Sequence, residues 1–81
     1  MSDARERFAV FGFEGTHEAL RAESVLLDAG EEVALIPTPR ALGSLCGFAV
    51  RVPLHRRDAA LDELADSGIM PNGLIEIGDR A

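Results

Sequence analysis

Four short apolar runs alternate with two amphipathic stretches in the order strand, helix, strand, strand, helix, strand. That order predicts an α+β domain built from a β-α-β unit used twice. Two further observations support it. Each helical stretch stops at a glycine, Gly30 and Gly68. The chain has 81 residues, room for one such unit that buries roughly 60% of its unfolded surface. The arrangement is ferredoxin-like: a four-stranded antiparallel sheet with both helices on one face. Residues 8–78 are read as this single domain and residues 1–7 as a flexible N-terminal arm.

The elements follow in chain order. Phe8 to Phe13 is apolar and aromatic, the pattern of a buried strand. Thr16 reads as a helix N-cap, with Glu18 in the first turn where a negative charge suits the helix dipole. Ala19, Ala22, Val25, Leu26 and Ala29 recur at helical spacing, with Leu20 and Leu27 beside them. Val33 to Ile36 is the second strand. Pro39 to Leu42 reads as a single helical turn ended by Gly43. Phe48 to Val52 is the third strand, closed by Pro53. Leu54 through Ser67 is the second helix, with Leu61, Leu64 and Ala65 inward. Pro71-Asn72-Gly73 is a turn signal, and Leu74 to Ile77 the last strand. The two halves have similar lengths but no evident residue-level repeat.

Alternation on the first strand puts Phe8 and Val10 on one face and Ala9, Phe11 and Phe13 on the other. Both sets are apolar, and two helices cover only one face. An exposed apolar sheet face marks an interface, so a homodimer through the open face is expected. The competing reading is that loops and the N-terminal arm cover part of it.

Charge and composition exclude several functions. Fourteen acidic and eight basic residues leave a net charge of −6. All the basic side chains are arginine, and the adjacent pair Arg56-Arg57 is followed by Asp58. Nucleic acid is not an expected partner, because phosphate binding needs clustered cations. No run approaches the roughly 20 apolar residues of a membrane span, and the mixed-charge N-terminus lacks an apolar signal core. The acidic residues Glu14, Glu18, Glu23, Asp28, Glu31 and Glu32 read as solvated faces. One Cys and two distant His supply no metal site, and no cofactor is implied. His17 and His55 read as surface residues.

Cys46 is the only cysteine. It lies in the run Pro37-Thr38-Pro39-Arg40-Ala41-Leu42-Gly43-Ser44-Leu45-Cys46-Gly47 between the second and third strands, longer than a hairpin needs. A lone thiol forms no internal disulfide, and the cytoplasm, where free thiols persist, is the expected compartment. Arg40 is the nearest cation in sequence and would favour the thiolate. Gly47 would allow a ligand close approach, and the N–H groups of Gly43, Ser44 and Leu45 would form an anion nest. The alternative is that Cys46 is a small core residue opening the third strand.

The run Phe13-Glu14-Gly15-Thr16-His17-Glu18-Ala19-Leu20, then Ala22-Glu23, Gly30, Ile36-Pro37-Thr38-Pro39-Arg40 and Ser44-Leu45-Cys46-Gly47, resembles a small bacterial family of selenium/sulfur carrier-like proteins. The most specific elements are Pro-x-Pro-Arg and Ser-x-Cys-Gly. Gly12 and Gly15 depart from it, standing where bulkier or hydroxylated residues are expected. The resemblance implies that Cys46 carries sulfur or selenium as a persulfide or selenosulfide. Arg40 would be its motif partner, with Pro39, Ser44 and Gly47 completing the site. It also implies donor and acceptor proteins as partners, and a carrier rather than a stand-alone enzyme. The other readings are an anion-binding regulatory module using the same loop, and a docking subunit for a larger enzyme.

Overall fold

The computed structural model describes residues 7–43 and 47–78. The expected arm falls outside these residues apart from Arg7, which opens the first strand. Strand β1 spans Arg7–Gly12, helix α1 Thr16–Asp28, β2 Ala34–Pro37, β3 Phe48–Pro53, helix α2 Arg57–Asp66 and β4 Gly73–Gly78. Two 3₁₀ turns, Arg40–Leu42 and Leu54–Arg56, precede β3 and α2. The sheet order is β2-β3-β1-β4 and every pairing is antiparallel, which is the ferredoxin-like topology.

The register sorts the side chains. Ala9 and Phe11 face the helices together with Val50 and Val52, their neighbours on β3. These four, with Phe13, close a core against Ala19, Ala22 and Leu26 of α1, Ala60 and Leu64 of α2, and Ile69. Phe8 and Val10 take the opposite face. Of the residues expected inward, Ala29 is exposed because it caps α1, and Ala65 is exposed because it lies on the outer side of α2. Leu54–Arg56 forms a tight turn rather than the first turn of α2, and Ala60, not Ala65, fills the core beside Leu64.

Both helices end in the same motif. After α1, the Gly30 N–H donates to Leu27 O and the Glu31 N–H to Leu26 O, each at 3.0 Å. After α2, the Gly68 N–H donates to Ala65 O at 3.0 Å and the Ile69 N–H to Leu64 O at 2.9 Å. These are paired Schellman closures, and they require the left-handed backbone found at Gly30 (φ 87°) and Gly68 (φ 76°). The sequences Leu26-Leu27-Asp28-Ala29-Gly30 and Leu64-Ala65-Asp66-Ser67-Gly68 share Leu, Asp and Gly at matching positions of this closure. At the start of α1 the cap is Gly15, extended at φ −141° and ψ 160°, and Thr16 is already helical.

Candidate functional site

The topology brings the C-terminal ends of β1 and β2 and the N-terminal ends of β3 and β4 to one end of the sheet. Gly12 faces Gly73, Pro37 faces Phe48, and the Asn72 N–H donates to Gly12 O at 2.9 Å. The loop residues 38–43 and 47 and the start of α1, with exposed His17, share this end.

The loop is closed at its mouth by the Thr38 N–H donating to Gly47 O at 3.1 Å. Pro39 is extended (φ −64°, ψ 147°) and starts the 3₁₀ turn, as proline's fixed φ favours. Leu42 N–H bonds Pro39 O, and Gly43, at φ 60°, ends the turn by donating to Arg40 O. The Gly43 N–H is thus committed inside the turn and is not a member of an anion nest. Arg40 is exposed and takes part in none of the ion pairs among the described residues. An added Cβ at Gly47 would meet nothing within 4 Å, so the space beside that residue is open. The structure thus brings Pro39, Arg40 and Gly47 to one loop. Ser44 and Cys46 lie outside the described residues.

Leu42 was not singled out by the sequence. It folds back over the open sheet face at Gly12 and Gly73. Val10 and Ala49, on that same face, are fully buried. The Arg51 guanidinium lies 4.3 Å from the centroid of the Phe8 ring farther along. Part of the open face is therefore covered by the protein's own loop and side chains.

The perturbed charges gather at the other end of the sheet. Glu31, expected on a solvated face, is 7% exposed. It accepts two hydrogen bonds from Arg56, at 2.9 Å from Nε and 2.7 Å from Nη2. Those bonds hold its carboxyl below the ordinary value despite burial. Glu63 lies beside it with Oε1 shut off from solvent and unpaired. Burial first, and the Glu31 carboxylate second, push Glu63 upward. A signal for Glu31 existed: it follows the glycine of the α1 closure, a position that turns inward. An open groove of about 440 Å³ at this end is lined by residues including Phe8, Leu27, Glu32 and Arg51, remote from the loop.

No helix among the described residues is long and apolar enough to cross a membrane, and no group of three or more His, Cys, Asp or Glu among them could hold a metal. A small ferredoxin-like α+β domain with one long, anchored β2–β3 loop is the class these features define. Residues 8–76 match the family described as "Putative Se/S carrier protein-like", and the chain belongs to that family. No curated protein and no solved structure matches it.

Proposed function

We propose that the protein carries sulfur or selenium on Cys46, as a persulfide or selenosulfide, between a donor and an acceptor protein. The observation that carries this reading is a single cysteine inside the loop Pro37–Gly47 of a chain that belongs to the Se/S carrier-like family. The chemistry balances without an outside oxidant. The Cys46 thiolate attacks the outer sulfur of a donor persulfide, a new S–S bond forms, and the donor thiolate leaves. An acceptor nucleophile then takes the outer sulfur and releases the Cys46 thiolate. No resolving cysteine is needed, and the sequence has none. Arg40, exposed in the turn before Cys46, supplies the cation that favours the thiolate, and open space at Gly47 admits the partner. The protein works in the cytoplasm with these partner proteins, as a carrier rather than a stand-alone enzyme.

The half-buried Phe8, Ile36, Ile75 and Ile77 on the face away from the helices support self-association of two copies there. Light scattering after size exclusion reads that state directly.

The carrier reading is tested by incubating the full chain with a cysteine desulfurase and cysteine, then measuring intact mass. Addition of one sulfur atom, removed by reductant and absent in Cys46→Ser, is expected. A wild-type chain with a titratable thiol that gains no sulfur overturns the reading and leaves Cys46 as a packing residue.

A further inference from the structure

Gly12 and Gly73 are register partners across β1 and β4, at the loop end of the face turned away from the helices. Neither has a positive φ; the positive-φ glycines are Gly30, Gly43 and Gly68. Backbone conformation therefore does not demand glycine at 12 or 73. What crowds a side chain there is chiefly Leu42. A Cβ at Gly12 would stand 3.2 Å from Leu42 Cδ1, 3.4 Å from Asn72 Oδ1 and 3.5 Å from Leu42 Cδ2, and one at Gly73 would stand 3.0 Å from Leu42 Cδ2. The two missing side chains leave a seat in the sheet, and the Leu42 methyl groups fill it.

The seat has a consequence for the loop. A three-residue 3₁₀ turn has little stability of its own. Arg40–Leu42 is joined to the sheet through Leu42, while the mouth of the loop is closed separately by Thr38 and Gly47. We infer that Leu42 is the positioning residue of this loop: seated on Gly12 and Gly73, it holds the Arg40–Leu42 turn, and with it the point from which Arg40 projects, in one place at the end of the sheet. The inference rests on the reading that the loop acts through Cys46, and it supplies what that reading lacks, an anchor for the turn that carries the cation. It also explains why Gly12 stands where a bulkier residue was expected.

The test reads the thiol rather than the cargo. The rate of Cys46 alkylation by iodoacetamide is followed against pH in the full chain, with circular dichroism to verify folding. Leu42→Ala releases the turn, moves the profile to higher pH and slows alkylation at neutral pH by about threefold, the change in thiolate for a half-unit rise in thiol pKa. Leu42→Met, which still fills the seat, restores the wild-type profile. Gly73→Ala, which blocks the seat with Leu42 intact, reproduces the Leu42→Ala shift, and the double variant is no worse than either single one. An unmoved profile in folded Leu42→Ala, or additive shifts in the double variant, overturns the inference. Should Leu42→Ala fail to fold, Gly73→Ala alone decides: a folded variant with an unmoved profile overturns it. Failure of the carrier reading appears elsewhere, as a wild-type chain that takes up no sulfur.

Discussion

Helices α1 and α2 close through the same hydrogen bonds and then diverge by one residue: Glu31 follows Gly30, whereas Ile69 follows Gly68. Both side chains turn inward and both are buried. An arginine from the other half reaches each closure. Arg56 grips the Glu31 carboxylate with two bonds, while Arg21 donates to the Ser67 carbonyl at 3.1 Å. One architectural position thus accepts either an apolar residue or an ion, provided the ion brings its partner. The second end is ordinary core; the first trades burial of a hydrophobe for a paired charge, and carries beside it Glu63, whose carboxyl is pushed upward by burial and by Glu31.

Exchanging the two residues breaks the comparison most sharply. Ile69→Glu puts a charge among Leu64 and its apolar neighbours without a bidentate partner, and is expected to cost about 3 kcal/mol. Glu31→Ile, the reverse change, is expected to alter stability by less than about 1 kcal/mol at pH 7, because a packed side chain offsets the lost pair. Thermal denaturation of both variants checks this, and equal costs would show that the two ends are not environmentally distinct.

A smaller effect tests what the ends share. Gly30→Ala and Gly68→Ala each force a Cβ into the left-handed region, at about 1–2 kcal/mol. An added Cβ meets nothing within 4 Å at either position, so the cost is backbone alone and should be equal at both. Unequal losses would mean that Glu31 or Ile69 alters the closure itself.

The smallest effect concerns pH. Glu63 has its folded pKa raised above 4.5, so the stability that comes from its neutral form is present below that value and lost as pH rises through the folded pKa. Glu31 has its folded pKa lowered, so its contribution is present above 4.5 and lost as pH falls through the folded pKa. The two carboxyls therefore act in opposite directions. Glu63→Gln, a mimic of the neutral form, is expected to raise the melting temperature at pH 7, with the gain vanishing once the pH falls well below 4.5. A gain that is constant with pH would place the effect in packing.

Much of this fold was legible from periodicity. The runs around Phe8–Phe13 and Phe48–Val52, and the stops at Gly30 and Gly68, located six elements and their order because strand length, helical spacing and left-handed glycines are local properties. The misjudged details depended on contacts distant in sequence. Glu31 looked solvated because its neighbour Glu32 and nearby Asp28 are, and only the fold brings Arg56 to it. Thr16 has the chemistry of a cap, but the chain turns one residue earlier, at Gly15. Leu42 was read only as part of the Pro39 to Leu42 turn, because Gly12 and Gly73, some thirty residues away on either side, reveal their vacancy only when paired. Arg40, Pro39 and Gly47 were placed at one loop by sequence adjacency, and the structure adds the anchored turn that Pro39 caps and Arg40 begins, and the closed mouth at Gly47.

Arg7 and Gly78 are direct partners across β1 and β4. The backbone enters and leaves this unit side by side, at the pole remote from Arg40 and Gly47. A tether, tag or neighbouring module joined at either point would lie away from exposed Arg40 and Gly47, and a short linker between the two points would permit the chain to be reopened elsewhere.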